Sequence, residues 1–383
     1  MQGGSFGKYL SSGHLIYVKQ GALFGIRFDL KRVETIGQAV PVLDGFASSP
    51  ASGSAQLSVS NDGSLVYIPG TLQSSERPLQ WMRKGGRISP LREVKANWAN
   101  PRFSPDGKKL SMDVFDGAQW DIWIYDWERE TMTQLTFDPH EDTRAVWTPD
   151  GRRIAFASDR EQPGVRNLYW MNVDGSGDVS RLTDSPTSQD PFSWHPGGKY
   201  LSFHQSTSGV SRGDLMVLEM ESDAKGRLSP GKTTMFLGTP AQEVVPMFSP
   251  DGRWIAYAAN STGDRNELYV RPFPGPGGVW RVSTDAGSFP RWSRSRNELF
   301  FTARSQIWSA SYTTSGDSFI AEKPKLWAPS TLVSVTNSYA YDLHPDGERV
   351  VLFETPQEDR GGQTQVVFVM NFREHVKTLL PTK

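Results

Sequence analysis

The chain has no cysteine among its 383 residues, which excludes a disulfide framework, a thiol nucleophile and any cysteine-ligated zinc or iron–sulfur centre. It also lacks a surplus of either charge. With 41 Lys and Arg against 42 Asp and Glu, the formal net charge is −1, so composition points to neither a nucleic acid nor an anionic membrane as partner. Long apolar runs are missing too. No stretch approaches the roughly 20 apolar residues of a membrane span, and Met1-Gln2-Gly3-Gly4-Ser5 lacks the charged and apolar regions of a signal peptide. A soluble chain without a transmembrane segment is expected. Histidine is scarce, at six residues, and no His-x-x-x-His or His-Glu-x-x-His spacing occurs, so neither a metal nor any other cofactor is expected.

What is plentiful is glycine (36), proline (26) and aromatic residues (20 Phe, 13 Trp and 11 Tyr). That mixture suits short strands joined by tight turns, and its aromatic content argues against disorder. One short phrase returns along most of the chain. It reads Phe103-Ser104-Pro105-Asp106-Gly107, Trp147-Thr148-Pro149-Asp150-Gly151, Trp194-His195-Pro196-Gly197-Gly198, Phe248-Ser249-Pro250-Asp251-Gly252 and Leu343-His344-Pro345-Asp346-Gly347. Degenerate copies stand at Val59-Ser60-Asn61-Asp62-Gly63 and Trp292-Ser293-Arg294-Ser295-Arg296, with a weaker one around Gly13.

The phrase is a turn. Pro presets φ for the first corner, Asp hydrogen-bonds its own backbone, and Gly takes the left-handed position. Asp106, Gly107, Asp150, Gly151, Asp251, Gly252, Asp346 and Gly347 are therefore read as structural. Behind each turn comes an apolar run such as Ile154-Ala155-Phe156-Ala157, then a polar loop, a third strand such as Asn167-Leu168-Tyr169, and a short outer strand such as Arg181-Leu182-Thr183. Four strands in a unit of about 40–50 residues make a propeller blade. The expected fold is all-β, a single domain over 1–383 built as a β-propeller of four-stranded antiparallel blades. Eight blades are favoured, starting near Ser5, Ala55, Asn97, Thr143, Gln189, Val244, Ser288 and Tyr339, with a short helix near 372–378. Seven blades with an irregular terminal unit is the alternative, and a two-domain β-sandwich chain the competing fold.

The aromatic-Ser-Pro-Asp-Gly-Arg-x-Ile-Ala phrase resembles the repeats of TolB-type periplasmic propellers and of the propeller half of prolyl oligopeptidases. The run Val270-Arg271-Pro272-Phe273-Pro274-Gly275-Pro276-Gly277-Gly278-Val279-Trp280-Arg281-Val282-Ser283, with Gly13-His14-Leu15-Ile16-Tyr17 upstream, is similar to the propeller carried by many bacterial membrane serine/threonine protein kinases. That resemblance implies an extracytoplasmic, periplasmic sensing or protein-interaction module tethered to a cytoplasmic kinase. The kinase's own glycine-rich loop, His-Arg-Asp and Asp-Phe-Gly segments are missing here, so no phosphoryl transfer is expected of this chain.

Reactive constellations are few. Gly3-Gly4-Ser5-Phe6-Gly7 spells Gly-x-Ser-x-Gly, but no strand feeds it, and it is read as coincidence rather than a nucleophile elbow. His195 and His344 stand where Ser or Thr occupies the other turns, and are read as turn caps. Trp147, Trp194 and Trp292 are read as packing between blades rather than a sugar platform; Trp120 and Trp127 are harder to place in a core. The loops that lead into the innermost strands carry Glu141, Asp142, Asp190, Glu243 and Asp285, with Arg144 beside them. Such loops share one face, where a carboxylate ring could hold a hard cation or receive a basic peptide; a solvated rim is the plainer reading. Polar loops at 158–161, 206–209 and 260–265 open on that face and could add recognition surface.

The function expected is a non-catalytic scaffold that binds a protein or peptide ligand at the face of its central channel. A propeller-fold carbohydrate-active enzyme, a lyase or glycoside hydrolase with its carboxylates at the same funnel, is the alternative. A structural scaffold with a broad exposed apolar patch is a third.

Overall fold

The computed structural model describes residues 5–19, 22–49, 54–60, 63–69, 76–206, 213–261, 263, 265–329, 341–353 and 366–381. Residues 3 and 4 of the Gly-x-Ser-x-Gly string, 207–209 of one candidate loop, Thr262 and Asp264 of the next, and the expected blade start at Tyr339 lie outside them. Backbone contacts divide the chain into two compact units, Arg77–Glu354 and a second that combines Met1–Glu76 with Thr355–Lys383.

The larger unit is a ring of four-stranded antiparallel blades. The second blade shows the pattern: Asp142–Trp147, Arg153–Ser158, Asn167–Asn172 and Ser180–Arg181 pair in sequence order from the axis outward. The third, fourth and fifth blades begin with Gln189–Trp194, Glu243–Phe248 and Ser288–Trp292. The first and sixth share one long strand, Ile88–Phe103. Its residues 97–103 pair with Lys109–Phe115 as the innermost strand of the first blade, while 88–96 pair with Arg77–Arg83 as the outermost strand of the sixth. The sixth blade is completed by Tyr341–Leu343 and Arg349–Phe353, the latter pairing Phe353 with Leu79 and Arg349 with Arg83. One blade is thus assembled from both ends of the unit, and the ring closes on backbone hydrogen bonds.

The blade count is therefore corrected from eight to six within this unit. The repeats around Gly13 and Gly63 belong to the other unit. There Ser5–Leu10, His14–Lys19, Ala22–Asp29 and Glu34–Leu43 form one sheet, and Leu57–Val59 and Leu65–Tyr67 pair with the distant Val367–Val369. The helix Phe372–Leu379 lies where a terminal helix is expected and buries Phe372 and Val376 against Ile16, Leu23 and Leu65. His14 is buried, with Nε2 2.7 Å from the Leu380 carbonyl.

Interlocked turns hold neighbouring blades of the ring together. Thr148 and Ser249 hydrogen-bond Asp150 and Asp251 of their own turns, as Ser104 does Asp106. Gly252, at φ 73°, lies so close to the preceding blade that a Cβ there would stand 2.2 Å from His195 Nε2, whereas Gly198, also at φ 73°, has open space around it. His195 also accepts from the Gly197 amide at 3.0 Å and meets the Phe248 ring edge-on, so the turn histidines both cap and pack. Gly198→Ala is expected to lose about 1–2 kcal/mol of stability, the cost of a left-handed L-residue. Gly252→Ala should lose at least twice that in urea unfolding, because it adds a collision to the same backbone cost. Equal losses would mean that His195 moves aside freely.

Candidate functional site

Each innermost strand starts where a loop leads in and ends about 15 Å further on at a Pro-Asp-Gly corner. The ring therefore has a loop end and a corner end, and the channel runs between them. Five of the six innermost strands carry a bulge near mid-length. Asn100, Arg144, Val245 and Phe289 take positive φ at four of these, 49° to 62°. Bulges re-aim side chains, and at two of these Arg144 and Val245 reach Asp190 and Phe192 of a neighbouring blade.

At the loop end Asp142, Asp190, Glu243 and Asp285 each have side-chain partners. Arg160 donates twice to the buried Asp142, at 3.0 Å to each oxygen, and burial still raises that carboxyl above its usual range. Asp190 lies between Arg144 Nε at 3.3 Å and Arg166 Nε at 3.1 Å. Burial alone would raise its pKa, but the two guanidiniums outweigh that and hold it down to about 2. Glu243 is buried and accepts from the Thr239 amide and hydroxyl. Asp285 is exposed and pairs with Arg304 and Arg265, and Glu141 is exposed, its amide donating to Asp159. The structure thus brings Arg144 to Asp190 from the neighbouring blade and gives Asp142, Glu243 and Asp285 separate partners. Among the described residues no three His, Asp or Glu side chains gather as a metal-holding group.

Two groups at this level, one buried and one half-buried, were not singled out from the sequence. Asp113 is fully buried and accepts from Asn100 Nδ2 at 2.6 Å and the Arg144 amide at 2.9 and 3.0 Å; burial pushes its carboxyl up to about 7. His204 sits across the strand pair from Asp190, and burial lowers its pKa.

The channel widens at the corner end into a cavity of about 430 Å³ that all six innermost strands line. Pro105, Pro149, Pro196 and Pro250 stand around its mouth, with Trp147, Trp194, Trp292, Phe103 and Phe248 in its wall. The tryptophans are fixed in place: Trp147 Nε1 donates to the Arg102 carbonyl of the preceding blade at 3.0 Å, Trp292 Nε1 to the Met247 carbonyl at 2.9 Å, and Trp194 stacks on Trp170. They pack between blades and still present an edge to the cavity. Trp127, hard to place from sequence, packs at the closing seam on Trp81 and Phe103, and Trp120 on Phe115.

Charge enters this cavity in one column. The residue just before the Phe, Trp or Leu that opens each turn phrase is Arg102, Val146, Ser193, Met247, Arg291 or Asp342. Aligning the repeats on their turn phrases exposes that column. Arg291 Nε lies 2.5 Å and Arg102 Nη1 3.8 Å from Asp342 Oδ1, with all three side chains less than a tenth exposed. The other oxygen of Asp342 accepts the Phe103 amide at 2.8 Å, just as Ser193 Oγ accepts the Phe248 amide at 3.0 Å. Arg294 replaces the turn proline of the fifth repeat. It is exposed, and its Nη1 donates to the Pro105 carbonyl at 2.7 Å, across the mouth.

A family model described as TolB beta propeller domain matches residues 40–234, about half of the chain. The chain is 26% identical over 200 residues to the uncharacterized peptidase YuxL of Bacillus subtilis, covering 43% of this chain and 29% of that protein. It is 28% identical over 184 residues to the Tol-Pal system protein TolB of Wolinella succinogenes, covering 45% and 41% respectively. The chain thus spans less than half the length of these curated relatives. Among solved structures, a putative TolB from Agrobacterium tumefaciens superposes with a TM-score of 0.54 at 17% identity, over 74% of this chain and all of the other.

Proposed function

The chain belongs to the TolB beta propeller family, and from that premise we propose that its ring is a non-catalytic module that seats an extended protein segment at the corner end of the channel. One observation carries this reading: a cavity of about 430 Å³, walled by rigid aromatic and proline side chains, on the axis of a closed ring. Pre-ordered aromatic and proline surface binds extended peptide at low entropic cost. A glycoside hydrolase needs two carboxylates across its bond, and among the described residues Asp342 is the one carboxylate lining this cavity. Among the described residues, the exposed large apolar side chains of the ring, Phe137, Leu228, Met235, Val279, Ile320 and Leu326, are divided among four blades, which favours a site on the axis over a broad apolar docking face. We further propose that the module is the extracytoplasmic, periplasmic sensor part of a bacterial envelope signalling kinase. Support for this is the run Val270–Ser283, similar to the propellers that such kinases carry, on the outer half of the fourth blade. A kinase domain and a single membrane span encoded in the same reading frame would be expected; a carbohydrate-utilisation gene cluster would count against it.

The lack of cysteine makes the binding site directly testable. Pro196→Cys places a thiol at the mouth and Glu161→Cys one on an exposed loop at the far end. Coupling a bulky maleimide at position 196 should abolish retention of a random heptapeptide library, and coupling at 161 should leave it intact. The reverse pattern would move the site to the loop end, and no retention by the unlabelled protein would end the peptide reading.

A further inference from the structure

Between the fourth and fifth blades, Phe319 is buried against Trp254, Trp292 and Tyr312, with ring centroids 5.4, 6.0 and 5.0 Å away. The same positions two blades earlier hold no such ring. On the turn phrases, Trp254 aligns with Arg153 and Trp292 with Trp194. Tyr312 corresponds to Met220, because their amides donate to the carbonyls of Asn297 and Lys199, each the residue that precedes a second strand. Phe319 itself corresponds to Leu228: Phe319 pairs with Thr314 and Leu228 with Ser222, two residues beyond Tyr312 and Met220. Arg153, Trp194, Met220 and Leu228 all line a groove of about 930 Å³ between the second and third blades. Leu228 is 38% exposed where Phe319 is 1%. Trp170 completes the floor, stacked on Trp194 and lying under the Arg153 guanidinium at 4.3 Å.

We infer that this groove is a subsite for an aromatic side chain, carried by the peptide whose neighbouring residues occupy the axial cavity. This rests on the peptide reading above and adds to it a residue type that the ligand supplies. Pro149, Trp194 and Pro196 line the groove and the axial cavity alike, so one extended segment lies in both. The ring of such a ligand takes the place that Phe319 takes in the later pair of blades. An aromatic side chain entering a pre-ordered aromatic cleft gains edge and face contacts beyond its buried area. Charge does not decide the ligand here, since acids and bases both stand on the rim and Lys199 pairs with Glu219 at 2.9 Å.

The test uses the whole chain and three fluorescent heptapeptide pools, read by anisotropy. Each pool carries one Phe, one Leu or one Ser, placed at any position, among residues that include no other aromatic or large aliphatic side chain. The Phe pool should bind roughly tenfold more tightly than the Ser pool, with the Leu pool between them. Leu228→Phe supplies the ring from the protein itself, as Phe319 does, and should bring the Phe pool down to the level of the Ser pool. Position 228 is exposed, so the variant is expected to fold, which its melting curve would verify. Ser222 lines the groove and not the axial cavity. A bulky maleimide on Ser222→Cys should therefore also remove the advantage of Phe, and one on Glu161→Cys should leave it intact. Equal binding of the Phe and Ser pools would overturn the aromatic subsite and leave the peptide reading standing. So would an advantage of Phe that Leu shares in full, or one that survives both changes at the groove. No binding of any pool, nor of the fully random library, would overturn both.

Discussion

Asp342→Ala is expected to destabilise the ring by about 3–5 kcal/mol, the cost of leaving buried charge without its counter-ion. Asp342 joins three blades: Arg291 comes from the fifth, Asp342 from the sixth, and Arg102 and the Phe103 amide from the first. Its removal leaves two buried guanidiniums facing each other at the seam where the chain closes on itself. Asp342→Asn keeps an acceptor for the Phe103 amide and loses only the charge, so it should lie between wild type and alanine. Urea unfolding of the three proteins provides the measurement. An alanine variant within 1 kcal/mol of wild type would mean that water already compensates the two cations.

The second large effect is a dependence on pH. The native Asp113 carboxyl is pushed up to about 7 from an ordinary 3.8. Between those values the unfolded chain has released a proton that the native state keeps, so raising the pH through the window draws the equilibrium toward the unfolded form. Stability contributed by the protonated group is complete below about pH 4 and lost as pH rises to about 7. At about 1.4 kcal/mol per pH unit, the loss amounts to about 4 kcal/mol. Asp190 has the opposite sign: its pKa is lowered to about 2, so its contribution is present above pH 4 and disappears in stronger acid. The difference in unfolding free energy between wild type and Asp113→Asn isolates the first group. That difference should move against wild type from pH 4 to pH 7 and then level off. A flat difference would show that water or a counter-charge reaches Asp113.

The blade was legible because its signals are local. A Pro-Asp-Gly corner fixes turn geometry within five residues, and the β-branched and aromatic run behind it fixes a strand. The same local reading assigned the turn residues and found the terminal helix. It overcounted the ring because a repeat phrase does not say which sheet its strands will join. The phrases near Gly13 and Gly63 look like blade turns, yet their strands form the unit that also takes in Val367–Val369 and the helix. The sixth blade was divided between residues 77–96 and 341–353, where no window of sequence contains it whole. Glu141, Asp142, Asp190, Glu243 and Asp285 are legible as acids in the loops that enter the innermost strands, but the pairing of Asp142 with Arg160, of Asp190 with Arg144 and Arg166, and of Asp285 with Arg304 and Arg265 depends on contacts across strands and blades.

The sequence by itself determined the four-stranded antiparallel blade and its corners, because turn chemistry and two-residue alternation act over a few neighbouring residues. The tertiary structure alone decided how many blades close the ring, which distant segments share a sheet, and that Arg102, Arg291 and Asp342, up to 240 residues apart, meet on one axis. Those outcomes depend on hydrogen bonds and Coulomb interactions between segments that only closure of the ring brings within reach.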